Sequence, residues 1–256
     1  MPAPVNRLKA ALASGQTLYG CWAGFADAYA TEVITTAGFD WLVIDGEHAP
    51  NDLRTIMAQL QITDGSKTEA IVRLPMGEAW LIKQVLDVGA QSLLIPMVES
   101  ADQAHDLVRA MRYPPDGIRG SGAALARASR FSDIPDYIST ANDQMCLIVQ
   151  VETMAGIDAL DDILKIDGVD GVFIGPSDLA ADMGHLGDSS QPEVQAAIRD
   201  ALTRISQSGK APGILALEPE TAATYRDWGA RFLAVGIDVV MLAQTARATM
   251  ARWRDD

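Results

Sequence analysis

The sequence is poor in the groups on which several common chemistries depend. Its only cysteines, Cys21 and Cys146, lie far apart inside apolar, strand-like runs. Without a CxxC spacing they form no thiolate metal site, and they read as buried, reduced thiols in a reducing, cytoplasmic compartment. No apolar stretch has the uninterrupted length to cross a bilayer. The opening MPAPVNRLKAALASG lacks the apolar core of a signal peptide and reads as a short capping helix. No GxGxxG follows the first strand-like run and no P-loop occurs, so hydride and phosphoryl transfer lack a cofactor or phosphate cradle. Basic residues are outnumbered, 20 Lys and Arg against 34 Asp and Glu, for a formal net charge of −14. Nucleic acid and anionic membrane are therefore not expected partners, because phosphate contact needs clustered cations. No Pro- or Ser-rich linker and no low-complexity tract divides the chain, so residues 1–256 are expected to form a single domain.

What the chain does contain is alternation. Near-continuous apolar runs at 17–24, 41–45, 69–75, 92–98, 145–152, 171–175, 211–217 and 231–237 have the character of parallel strands buried on both faces. Helix-period segments separate them: Leu53, Ile56, Met57 and Leu60 share one face, as do Val194, Ile198, Leu202 and Ile205. Gly38, Gly89, Gly168, Gly209 and Gly229 each stand between such a segment and the next strand, where a helix C-cap belongs. Eight strands, each followed by a helix, predict an α/β fold, a closed (β/α)₈ TIM barrel, with an open doubly wound sheet as the runner-up.

In a barrel of this kind, active sites lie at the C-terminal ends of the strands. Strand two ends in Asp45, with Glu47 and His48 behind it; strand three carries Arg73; strand five ends Gln150-Val151-Glu152; strand six runs into Gly175-Pro176-Ser177-Asp178. Trp22 stands near the end of strand one, Pro96 and Glu99 near that of strand four, and Leu215 near that of strand seven. Glu152 and Asp178 are hard oxygen ligands on neighbouring strands, a pair suited to Mg²⁺, Mn²⁺ or Co²⁺ with positions left for substrate. The plainer alternative is that Asp178 caps a helix and Glu152 pairs with an arginine. Arg73, inside an apolar strand, must be paired or used; it is either a structural ion pair or a fixed cation for developing negative charge. His48, with Asp45 upstream, has the setting of a general base. His105 falls in an outer helix, and His185, in the loop after strand six, is a weaker second candidate.

All five lysines, Lys9, Lys67, Lys83, Lys165 and Lys210, fall in helices or just before strands, so none is placed to form an imine at the rim. Carbonyl chemistry here should therefore rely on a metal. A 2-oxo acid chelated by that metal, with Arg73 sharing the enolate charge and His48 moving the proton, fits the set.

At these motifs the chain resembles the metal-dependent class II pyruvate aldolases, of the 4-hydroxy-2-oxoheptanedioate and 2-dehydro-3-deoxyglucarate aldolase type. The matching stretches are FDWLVIDGEHAPND, AIVRLP, GIRGSGAALARASRF, VQVETMAGIDALDDI and GVDGVFIGPSDLAADMG, in family order over nearly the whole chain. The resemblance implies aldol addition or retro-aldol cleavage of 4-hydroxy-2-oxo acids, with pyruvate or hydroxypyruvate as donor and an aldehyde as acceptor. It implies that Glu152 and Asp178 bind the metal, that His48 is the base, that Asp45 and Asp87 support it, and that Arg73 stabilises the enolate. Gln150, Ser177 and Asp178 would contact the pyruvate part. It further implies a homo-hexamer, a trimer of dimers, with the last helix exchanged between subunits and residues 120–131 closing a neighbour's site. Variation is expected around the aldehyde, near Trp22, the 120–131 loop and Leu215. The competing expectations are an acyl-CoA lyase of the citryl or malyl-CoA type and a non-catalytic barrel that binds an oxo acid.

Overall fold

The computed structural model of the chain describes residues 1–254. Eight parallel strands close on themselves in sequence order: β1 (Leu18–Ala23), β2 (Trp41–Asp45), β3 (Glu69–Arg73), β4 (Ser92–Ile95), β5 (Cys146–Val151), β6 (Val169–Ile174), β7 (Ala211–Leu215) and β8 (Phe232–Ile237). The barrel expected from the alternation is the one observed. β4 is three residues shorter than its apolar run, because Pro96 has no N–H to donate and Met97 turns into the left-handed region at φ 55°. All five expected C-cap glycines lie at positive φ, from Gly209 at 84° to Gly89 at 117°.

Two apolar layers hold the barrel. Between sheet and helices, Val194, Ile198, Leu202 and Ile205 of one predicted face are buried, as are Ile56 and Leu60 of the other, whose Leu53 and Met57 are half-buried. Inside the barrel, Trp22, Trp41, Phe173 and Phe232 form an aromatic column, with Trp41 and Phe232 stacked at 4.0 Å. Aromatic pairs of this kind contribute roughly 0.5–1.5 kcal/mol beyond their area.

The N-terminal helix Arg7–Ala13 plugs the end of the barrel where the strands begin. Leu8 and Leu12 point into the interior column. Asn6, the buried N-cap, donates to Ser92 Oγ (2.9 Å) and the Gln144 carbonyl (3.0 Å). With this end sealed, a ligand can reach the strand ends only from the mouth. The C-terminal helix Asp238–Arg254 is different. Beyond Asp238 none of its residues is buried, and Val239, Leu242, Met250 and Trp253 are exposed. Among the described residues, no helix is long and apolar enough to cross a membrane.

Candidate active site at the barrel mouth

Strand register assembles the site. β2 and β3 pair so that Asp45 lies beside Arg73 at the same level. The side chains meet in a two-point clasp, Arg73 Nε to Asp45 Oδ1 at 2.9 Å and Nη2 to Oδ2 at 2.6 Å. Glu47 adds a third contact, Oε2 lying 2.7 Å from Arg73 Nη1. A guanidinium has five N–H donors, so two remain for a ligand. Below, the guanidinium rests on the Trp22 ring, 5.2 Å from its centroid. Trp22 thus forms the floor under Arg73 and the lid of the aromatic column, while Leu215 packs partly against the same column.

The Asp45 carboxylate also accepts the backbone N–H groups of Glu47 (2.9 Å) and His48 (3.3 Å). Burial alone would raise its pKa, but the hydrogen bonds and charge of Arg73 and the two amides outweigh that, and the carboxyl is held below its usual range. The spacing of Asp45 and His48 pointed to a carboxylate orienting an imidazole. In the structure Asp45 instead shapes the loop that carries His48. The carboxylate nearest the exposed imidazole is Glu47, 3.7 Å from Nε2. Sequence reasoning gave Glu47 no role, although an acidic residue two places beyond a strand end was signal enough.

Across the mouth, β5 and β6 pair Val151 with Ile174, which sets Glu152 beside Gly175. A Cβ at Gly175 would lie 2.5 Å from Glu152 Oε2 and 2.8 Å from its Cβ, so only glycine lets the strand end and the carboxylate share this space. Glu152 is buried; Oε1 accepts the Met97 N–H at 2.9 Å and Oε2 accepts from Gln150 Nε2. Among the described residues no arginine reaches it. Gly175, not Asp178, is the N-cap of the helix Pro176–Asp182; Asp178 stands in its first turn, exposed, as is Ser177. Neither plain alternative for these two carboxylates holds.

Burial pushes the Glu152 carboxyl above its ordinary pKa, and the charges of Asp178 and Glu47 push it further, against the lowering hydrogen bonds. Glu47 is raised by burial and by Asp45 and Asp178, with Arg73 and His48 opposing. Repulsion thus links Asp45 to Glu47, Glu47 to Asp178 and Glu152 to both Glu47 and Asp178, while Arg73 pairs with Asp45 and Glu47 alone. The buried Oε1 of Gln150, beside Glu152, has no hydrogen-bond partner. Among the described residues no cluster of three or more His, Cys, Asp or Glu is arranged to enclose a metal. Two carboxylates with room for substrate oxygens are the donor set that Mg²⁺ or Mn²⁺ accepts, and the uncompensated charge fits a dication.

Asp87 is not part of this group within the chain. It ends the helix Ala79–Asp87, a few residues before β4 begins, at the plugged end. There its Oδ1 accepts from the buried Arg119 Nη2 at 2.8 Å. The 120–131 segment lies at the same end, with Arg127 donating to the Val88 carbonyl at 3.0 Å. His185 pairs with Glu193 at 2.8 Å instead of joining the rim set. A cavity of ≈ 500 Å³ between the N-terminal segment and residues 127–131 also opens at the plugged end. Four of the charges lining it are paired, Arg7 with Glu69 and Arg127 with Asp64, and it lies away from the rim carboxylates. Lys9 and Lys210 donate to backbone carbonyls at this end, and Lys165 pairs with Asp162.

The likeness to known proteins extends over nearly the whole chain. The sequence model of a family described as HpcH/HpaI aldolase/citrate lyase matches residues 18–245. A protein of Roseovarius nubinhibens named hydroxypyruvate/pyruvate aldolase is 76% identical over 256 residues, covering 100% of both chains. A 4-hydroxy-2-oxo-heptane-1,7-dioate aldolase of Escherichia coli is 53% identical, covering 97% of this chain and 95% of its own. The crystal structure of an HpcH/HpaI aldolase/citrate lyase family protein from Burkholderia cenocepacia superposes with a TM-score of 0.94 at 41% identity, covering 98% of this chain and 100% of its own.

Proposed function

The chain belongs to the HpcH/HpaI aldolase/citrate lyase family and is a carbon–carbon lyase of the pyruvate-dependent aldolase type; we propose that it joins and cleaves 4-hydroxy-2-oxo acids at the mouth of its barrel, using a divalent cation held by Glu152 and Asp178. The observation that carries this reading is the charge imbalance there: among the described residues Asp45, Glu47, Glu152 and Asp178 share one guanidinium, Arg73, and no lysine. When bound, the cation supplies positive charge to the carboxylate and keto oxygens of a 2-oxo acid, which makes its C3 protons acidic.

The chain's own residues do the rest. Arg73, clasped by Asp45 and Glu47, is fixed in direction, and its two remaining N–H groups are aimed at an oxygen that gains charge as the C3 proton leaves. Such preorganised donors lower barriers because they need no reorientation during reaction. His48, on the loop shaped by Asp45 and with Glu47 3.7 Å from its Nε2, takes and returns the proton directly or through water. Ser177 and Gln150 orient the oxo acid, the orphaned Gln150 Oε1 accepting from a hydroxyl or water. Pyruvate and hydroxypyruvate are the donors in this reading. An aldehyde lies near Trp22 and Leu215, and the apolar end of β7 offers no charged handle for a distal carboxylate.

Asp87 and the 120–131 loop can serve a rim only on another copy, since within one chain they stand at the far end. We read the exposed face of Asp238–Arg254 in the same way, as covered by a second subunit of a homo-hexamer. The test is retro-aldol turnover of a 4-hydroxy-2-oxo acid by chelator-stripped protein, with Mg²⁺, Mn²⁺ and Co²⁺ added back separately. Activity restored by a dication supports the proposal; full activity without one refutes it.

A further inference from the structure

At the end of β4 three successive backbone N–H groups go to three different partners. Met97 N donates to Glu152 Oε1 at 2.9 Å, Val98 N to the Gln150 carbonyl at 3.0 Å, and Glu99 N to the side chain of Gln103, Oε1, at 2.9 Å. The first of these depends on Met97 being left-handed, φ 55°. A non-glycine residue resists that conformation by about 1–2 kcal/mol, so something must hold it there. Pro96 before it offers no N–H. Gln103, in the first turn of the helix Ala101–Met111, does the holding from both sides: its Oε1 takes the Glu99 N–H, and its Nε2 donates to the Met97 carbonyl at 3.1 Å. Ser100 caps that helix and accepts the Gln103 N–H at 3.2 Å, which fixes the base of the clamp. Thr153, next to Glu152, closes the loop by donating to Glu99 at 2.8 Å.

We infer that Gln103 is a positioning residue for the cation site: by bracing the left-handed turn at Met97 it keeps a backbone N–H on one oxygen of Glu152, so that the carboxylate is oriented before the cation arrives. Gln150 anchors the other oxygen, and Gly175 leaves the space beside it. Gln103 has no contact with the reacting groups and acts only through the turn. The inference rests on the proposal that Glu152 holds the cation.

The test is Mn²⁺ binding to the metal-stripped, full-length protein, measured by calorimetry or electron paramagnetic resonance, beside far-UV circular dichroism and Tm. Gln103→Ala is expected to raise the Kd for Mn²⁺ roughly 10–100-fold, the range for lost outer-sphere orientation. Its kcat at saturating Mn²⁺ should recover to within about threefold, since the groups that move the proton are untouched. Met97→Val, a β-branched residue that resists φ 55°, is expected to weaken Mn²⁺ in the same way, and it carries the test should Gln103→Ala fail to fold. Met97→Gly, which adopts that φ freely and keeps the N–H, is expected to bind Mn²⁺ like the parent. Wild-type Mn²⁺ affinity in both Gln103→Ala and Met97→Val, with binding abolished in Glu152→Gln, overturns the clamp while leaving the site. Undiminished binding in Glu152→Gln overturns the site reading itself.

Discussion

The two ends of the barrel supply cations to their acidic groups unequally. At the plugged end the partly buried carboxylates each have a cation: Asp170 faces Lys9 at 3.5 Å, Glu69 is paired with Arg7, and Asp87 with Arg119 at 2.8 Å. At the mouth Asp45, Glu47, Glu152 and Asp178 have, among the described residues, only Arg73 between them, and Glu152 and Asp178 have no cation there. One fold carries both arrangements, so the imbalance is local. Paired charges fix an element in place. Unpaired ones at a rim are costly unless a ligand compensates them, and their persistence marks the end where chemistry happens.

The contrast can be broken from the mouth first. Glu152→Gln removes one of the two proposed cation holders with almost no change in shape, and turnover is expected to fall by roughly 10³-fold or more, since a cation's charge stabilisation is worth several kcal/mol. A variant within tenfold of the parent in steady-state assays would show that the imbalance has no catalytic role. Arg73→Ala comes next, with an expected loss of roughly 10²–10³ in kcat. It also leaves Asp45 and Glu47 without their cation, so stability should drop by about 3–5 kcal/mol in denaturant titration. Mn²⁺ affinity should change little, and a lost metal site in this variant would contradict the division of labour between Arg73 and the carboxylates.

At the plugged end the same kind of substitution should touch stability alone. Asp170 accepts the Leu147 N–H at 2.9 Å and faces Lys9. Asp170→Ala, which leaves the Leu147 N–H and Lys9 without this acceptor, is expected to cost about 1–3 kcal/mol with kcat unchanged, read by thermal melts beside kinetics. The smallest effect separates the ends by pH. Glu152, raised in the folded state above its ordinary 4.5, favours folding fully below that value and loses its contribution as pH climbs through the raised one. Metal-free Glu152→Gln should therefore gain Tm over metal-free parent on going from about pH 4.5 to about pH 8, by about 2–4 °C for each kcal/mol relieved. A Tm difference that stays flat across that range would mean the carboxylate is not strained by its neighbours.

Much of this was legible in the sequence. Apolar runs, helix period and glycine caps report burial and local backbone geometry, which depend on residues close in the chain, and the barrel follows from their repetition. The rim residues Asp45, His48, Arg73, Gln150, Glu152, Trp22, Ser177 and Asp178 could be named because barrel topology makes every strand end a rim position. What the sequence does not carry is lateral pairing. Register, not spacing, puts Arg73 beside Asp45. The Gln103 clamp acts through backbone groups of Met97 and Glu99, which have no signature in side-chain identity. Asp87, drawn from family resemblance alone, lies at the opposite end from His48 within a chain. The CoA-lyase alternative is not favoured, since the relatives at 76% and 53% identity are named aldolases.

The central claim is that a dication at the mouth makes the methyl group of a 2-oxo acid acidic. Proton exchange measures this without any acceptor: pyruvate in D₂O, with the methyl signal followed by NMR, using stripped protein and protein reloaded with Mg²⁺. The account predicts deuterium incorporation only after reloading, and none in Glu152→Gln. Exchange at the same rate in the fully stripped protein would contradict it.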